Sequence, residues 1–311
     1  MMRTHKEVAM SKLRLVSSLI AICAVGGFAA YSFMKAPPLT ESSGTVYNVI
    51  DKDKNVVGTY TIPSDVEILN EPNADEILWG KRLHTDTKRL LPNNVGAAMN
   101  CNSCHIAGGK AAYGAHYLNS KNRYPRVMPR SGKELDLAGR VNGCFQRSMN
   151  GKPLPVESKE MKAMIAYMDW LSKDIPKGQM IDIPIAGPVD ESLVGDTKRG
   201  ARIYAENCAS CHGNNGEGLK DERGDIIFPP LWGDESFNIG AGMARTYKAA
   251  AFVKYAMPMS ISHQGLWGQG NLLDDQDAVD VSEFFTHMPR PDFPGKVNDW
   301  PNGNKPKDAR Y

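Results

Sequence analysis

Two five-residue stretches constrain this chain more than anything else in it: Cys101-Asn102-Ser103-Cys104-His105 and Cys208-Ala209-Ser210-Cys211-His212. Both read Cys-x-x-Cys-His, the attachment pattern for a c-type haem. The spacing has a chemical reason. Cysteines three positions apart on one helical turn both reach the vinyl groups along one edge of a porphyrin, and the histidine that follows turns its imidazole to the iron. Zinc is the competing use of paired cysteines. Here the pairs lie more than a hundred residues apart, and each carries a histidine at the same offset. A redox dithiol expects a strand-helix context and no paired histidine. The motifs therefore predict two covalently bound haems c on Cys101, Cys104, Cys208 and Cys211, with His105 and His212 as iron ligands.

A length of 311 residues suggests two domains, and 41% apolar residues is enough for real cores. The net charge of +2 and the lack of a basic tract argue against nucleic acid. Besides the haem cysteines only Cys23 and Cys144 remain, which is no disulfide framework. Arg3, Lys6, Lys12 and Arg14 precede an uncharged run from Leu15 to Met34. That is a basic region followed by an apolar one, the form of an export signal. The run is also long enough to anchor the chain in a membrane if it is not cleaved. Gly27-Phe28-Ala29 offers a small-x-small site, and Cys23 belongs to the exported segment. Export to the periplasm suits the haems, because c-type haems are attached outside the bacterial cytoplasm.

The expected fold is mainly α: two tandem cytochrome c-type haem domains with a small N-terminal β-hairpin and an irregular C-terminal tail. Residues 1–36 are the signal or anchor. In 37–63 a linker leads to Thr45–Ile50 and Val56–Ile62, which flank a polar turn as a hairpin. The first haem domain covers 64–176, with helices expected over Asp75–His84 and along Met161, Met164, Ile165, Met168 and Leu171. Those methionines read as core packing. Residues 177–195 form a linker. The second haem domain covers 196–290, with a helix over Asp196–Asn207 and a final helix capped by Asp274. Residues 291–311 form the tail.

Each haem needs a sixth ligand or an open site. In the second domain Ala256-Met257-Pro258-Met259 precedes the last helix, and Met257 is favoured over Met259, Lys254 and His263. In the first domain Met128 is an ordinary choice. Cys144, in Gly143-Cys144-Phe145-Gln146-Arg147-Ser148, is the other. A lone cysteine is most simply a small buried hydrophobe. Its surroundings say more: from 110 to 152 nine lysines and arginines face two acidic residues, whereas 196–287 holds eight against thirteen. Cations near a thiol favour the thiolate, the nucleophilic and metal-binding form, and they attract anionic substrates. A solvated basic surface that docks a partner is the plainer reading of the same charges.

The chain resembles the dihaem c-type thiosulfate dehydrogenase / tetrathionate reductase family. The resemblance lies in Arg89-Leu90-Leu91-Pro92-Asn93-Asn94-Val95-Gly96 before the first haem motif and Gly108-Gly109 after it. It continues through Gly143–Pro155, most specifically around Cys144, then Glu160-Met161, Trp170-Leu171-Ser172, Pro229-Pro230-Leu231-Trp232-Gly233 and Ala256-Met257-Pro258. It implies a first haem between His105 and Cys144, with Cys144 catalytic, and a second between His212 and Met257. The implied reaction joins two thiosulfate ions into tetrathionate and passes two electrons to an external carrier such as a small cytochrome c, or runs in reverse. Arg130, Arg140 and Arg147 are expected to offset the charge of the two dianions, with Ser148 as a donor. The rival class is a dihaem electron-transfer subunit with no catalysis of its own, and a dihaem peroxidase stands behind it.

Overall fold

The computed structural model describes residues 46–259 and 272–311. The run Leu15–Met34, Cys23 and His263 lie outside the described residues. The described residues fall into two units, Ser64–Val66 in the first and 46–63 with 67–259 and 272–311 in the second. Everything below belongs to the second.

The alternating segments near residue 50 form β1 (Val46–Ile50) and β2 (Val56–Thr61), antiparallel with Tyr47 opposite Tyr60. The Asp51 carboxylate closes their turn by accepting from the N–H groups of Asp53 (2.8 Å) and Asn55 (2.9 Å), as aspartate does in tight turns. The buried Tyr60 hydroxyl donates to the Leu171 carbonyl (2.5 Å), which fixes the hairpin to the first helical half.

That half contains α1 (Ala74–Thr85), α2 (Leu137–Gln146) and α3 (Lys159–Trp170). The other contains α4 (Thr197–Asn207), α5 (Thr246–Ala256) and α6 (Asp275–Thr286). Four of these starts are set by side-chain caps. Asp136, Ser158, Asp196 and Asp274 each accept from backbone N–H groups in the first turn of α2, α3, α4 and α6, satisfying donors that a helix start leaves open. Met161, Met164 and Met168 on α3 are buried among core residues.

The same device joins the helices of both halves. α1 crosses α3 at Gly80, where an added Cβ would lie 1.9 Å from the Ala163 carbonyl oxygen. α4 crosses α6 at Gly200, where it would lie 2.0 Å from the Asp280 carbonyl oxygen. Only glycine lets two backbones approach so closely.

The linker and the tail are more ordered than their composition suggests. Met180–Ile181 forms β3 on the free edge of β1, with Val49 opposite Ile181. The Asn119 amide accepts from the Ile181 N–H (2.8 Å) and donates to its carbonyl (2.9 Å). In the tail, Pro294–Asn298 makes a 3-10 turn. Trp300 beyond it is only 8% exposed, and its N–H donates to the Arg130 carbonyl (2.6 Å).

The halves meet along a seam. Ala98 N–H donates to the Glu235 carbonyl (2.7 Å), the Asn238 amide to the Gln146 carbonyl (2.8 Å), and Tyr113 stacks on Tyr255 at 4.7 Å. Among the described residues no helix is long and apolar enough to cross a membrane. Gly80→Ala and Gly200→Ala should each lower stability by about 1–3 kcal/mol or more, because the carbonyl facing the new methyl cannot swing aside as a side chain can. Thermal unfolding of the holoprotein measures it.

Candidate active site

Cys101–Ser103 is a short 3-10 turn anchored at its start. Cys101 N–H donates to the buried Thr87 hydroxyl (3.0 Å), and Asn100 accepts from Lys88 N–H (2.9 Å). His105 follows. Its Nδ1 lies 2.5 Å from the Ala115 carbonyl. A carbonyl only accepts, so Nδ1 carries the hydrogen and Nε2 is the nitrogen left for a metal; the ring also bonds the Cys144 side chain. Fixing one ring nitrogen in this way orients the other.

Behind His105 the chain turns through Ala107, Gly108 and Gly109, all at positive φ. At Gly109 a Cβ would sit 2.0 Å from the Tyr117 ring. The glycine admits that ring against the imidazole of His105, centroid to centroid 4.4 Å. The Tyr117 hydroxyl donates to Nδ1 of His84 (3.0 Å), whose Nε2–H donates to the Met164 carbonyl (3.2 Å). Burial keeps His84 neutral, its pKa pushed down to about 3.

Across from His105 stands α2. Arg140 and Cys144 are four residues apart, so one face of the helix presents both. Arg140 Nη1 donates to Cys144 Sγ at 2.9 Å and also bonds the Tyr124 side chain. The effect on the thiol is large. Burial alone would push Cys144 up, but Arg140 and His105 outweigh it and bring it down to about 6. Cys101 and Cys104 are buried without such a partner, and burial drives both up to about 12. Cys101, Cys144, His105, Arg140 and Tyr117 line a cavity of about 740 Å³, part of it open to solvent.

A c-type haem fits this donor set. Cys101 and Cys104 are unpaired thiols, His105 offers its Nε2, and Cys144 Sγ lies opposite it. The second motif repeats the arrangement in part. Cys208 and Cys211 are unpaired, and His212 Nδ1–H donates to the Pro229 carbonyl (2.8 Å). Met257 caps α5 and packs beside Phe252 and Ala256, as does Met259. Lys254 has its ammonium on Asp275 and near the Tyr255 ring.

Other sequence candidates lie elsewhere. Met128 sits in the turn between the short strands Arg126–Val127 and Glu134–Leu135, away from the cavity lining. Arg130, Arg147 and Ser148 do not line the cavity either. Arg147 grips Asp299 with two bonds of 2.8 and 2.7 Å, and both arginines donate to the Gly240 carbonyl. Arg123 and Tyr124 are cavity residues that the sequence reading passed over. Arg123 was legible only as one cation among nine, and Tyr124 left no pattern at all.

Two family descriptions match: "SoxA/TsdA, cytochrome c domain" over residues 93–176 and "Cytochrome c" over residues 197–289. The chain is 43% identical over 252 residues to the thiosulfate dehydrogenase of Psychrobacter arcticus, covering 81% of this chain and 75% of that one. To the thiosulfate dehydrogenase of Allochromatium vinosum it is 35% identical over 243 residues, covering 77% and 87%. The chain belongs to the thiosulfate dehydrogenase family. Its fold is that of two cytochrome c domains, and it binds haem c covalently in both. A solved structure of the family, thiosulfate dehydrogenase (TsdBA) from Marichromatium purpuratum as isolated, superposes with a TM-score of 0.66 at 31% identity. The match covers 76% of this chain and half the length of that one.

The buried His84 makes this haem site acid-sensitive. The native state excludes a proton from His84 down to about pH 3, whereas an unfolded histidine takes one near pH 6.5. Stability is therefore complete above about pH 6.5 and falls as pH drops toward 3, by up to about 1.4 kcal/mol per pH unit. Melting temperatures recorded from pH 7 to 4 should show this slope, and His84→Gln should flatten it by about one proton. Tyr117→Phe should cost about 1–3 kcal/mol in the same assay, because it leaves His84 Nδ1 buried without a donor.

Proposed function

We propose that this chain oxidises thiosulfate, coupling two ions into tetrathionate at Cys144. The observation that carries the reading is the contact of Arg140 Nη1 with Cys144 Sγ at 2.9 Å, opposite His105. An electron carrier has no need of a cysteine held as a thiolate, and a sulfur-coupling enzyme does. The relatives' names point to the same substrate.

In this reading Cys101 and Cys104 would hold the first haem with His105 and Cys144 as iron ligands, and Cys208 and Cys211 would hold the second with His212 and Met257. Lys254 is engaged by Asp275, which favours methionine there. The haems supply two one-electron acceptors when bound, matching the two electrons released. Cys144 thiolate forms a sulfur–sulfur bond with the outer sulfur of one thiosulfate, and two electrons leave. The second thiosulfate then attacks the outer sulfur of that adduct, tetrathionate departs and the Cys144 thiolate is restored. This second step is thiolate attack on a sulfur–sulfur bond, as in disulfide exchange. Arg140 stabilises the departing thiolate and attracts the dianions. Arg130, Arg147 and Ser148 lie outside the cavity lining and would act on the dianions only at its approach. Arg147 is already paired with Asp299, so Arg130, which donates to a neutral carbonyl, contributes more free charge. Reversal over the same residues reduces tetrathionate.

The basic and apolar N-terminal stretch supports export to the periplasm, cleaved or anchored. The acidic balance of the second half supports docking of an external cytochrome there. Thiosulfate-dependent ferricyanide reduction tests the function. Cys144→Ala should keep both haems and lose tetrathionate formation; turnover at the wild-type rate would remove its role. Arg140→Gln should raise KM by about 10-fold or more, the worth of a charged hydrogen bond, and an unchanged KM would count against it.

A further inference from the structure

Among the described residues, the lining of the first haem cavity includes one buried polar side-chain atom without a hydrogen-bond partner. His116 is only 4% exposed and lines the cavity. Its Nε2 lies 3.1 Å from the Ile183 carbonyl, so Nε2 carries the hydrogen and Nδ1 is a bare acceptor. Nδ1 is buried and has no partner. Such an atom costs about 1–3 kcal/mol unless something from outside the chain reaches it.

Arg123 lines the same cavity and is close enough to His116 to act on its charge. Among the described residues it has no acidic partner, and its neighbour Arg126 is a second cation. A half-buried guanidinium and a bare imidazole nitrogen thus meet at one edge of the cavity, where only an outside group can complete them.

We propose that His116 and Arg123 anchor the propionate carboxyl groups of the first haem, Arg123 donating to a carboxylate and His116 Nδ1 accepting from a carboxyl that keeps its proton. The proposal rests on the placement of that haem in this cavity, and it adds binding residues beyond the thioether cysteines and the iron ligands. Thiosulfate is the other anion at hand. It carries no proton at neutral pH, so it offers nothing to a bare acceptor nitrogen. A carboxylic acid does. Burial and the Arg123 charge both disfavour protonating the imidazole instead, whose pKa lies at about 4.

The test uses the holoprotein with Arg123→Leu, Arg123→Lys and His116→Leu. Resonance Raman bands of the propionates should shift in all three. Potentiometric titration should show a lower potential for the first haem in Arg123→Leu, because a cation near the iron favours the reduced state less once it is gone. The second haem should not move, and Arg123→Lys should keep the potential. Arg123→Lys preserves charge and bulk, so it reads the geometry even where a leucine variant loses haem. Unchanged Raman bands with thiosulfate oxidation intact would overturn the proposal and leave the enzymatic reading standing. A rise in KM for thiosulfate with both haem readouts unchanged would assign this edge to substrate instead. Wild-type protein that reduces no ferricyanide with thiosulfate, yet shows the band shifts in its variants, would sink the enzymatic reading alone.

Discussion

A thiolate drawn out of water into a cavity wall persists only beside a cation, and Arg140 is that cation. Burial opposes the charge on Cys144, yet its pKa comes down to about 6 while Cys101 and Cys104, buried nearby, rise to about 12. The charge of Arg140, 2.9 Å from the sulfur, together with the neighbouring His105 separates these outcomes. The rest of the first half can be read as the means of holding its two ends in place. Asp136 starts α2 where Arg140 and Cys144 share a face, and Tyr124 takes the other side of the guanidinium. The Ala115 carbonyl turns His105 toward the same point.

The opposite wall is built with equal care and with different chemistry. A left-handed run through Gly108 and Gly109 makes room for Tyr117, whose ring lies against His105 and whose hydroxyl satisfies a buried neutral histidine. This wall is uncharged and the Cys144 wall is charged. Such an asymmetry suits a centre that must keep one ligand fixed and use the other as a nucleophile. The tail contributes from a distance: Asp299 and Trp300 tie down Arg147 and Arg130, residues far earlier in the chain.

Much of this was legible because haem attachment has a short local signature. The two Cys-x-x-Cys-His stretches announce two haem domains, and the periodicity of α3 and the Asp274 cap place helices closely. Cys144 stood out through the cations near it in sequence, Arg140 among them, and through the family resemblance of the stretch around it. What escaped is made by long-range packing. β3 is two residues long and has no period. Asp299 meets Arg147 across 152 positions. Gly80 and Gly200 look like helix-weakening residues until the crossing helices are seen. His84, Tyr117 and His116 carry no motif, and their roles come only from what lies beside them. The same cation run that pointed to Arg140 could not rank Arg123 above Arg147, because charge along the chain does not say which side chain already has a carboxylate.

The most direct measurement is electron spin resonance of the oxidised holoprotein, with the near-infrared charge-transfer region recorded on the same sample. A thiolate and an imidazole on one iron give a low-spin signal distinct from that of a histidine–methionine haem. One haem with the thiolate signature, absent from Cys144→Ala, is the expected result. Two histidine–methionine signals in the wild-type protein, unaltered by that substitution, would contradict a thiolate at the first haem.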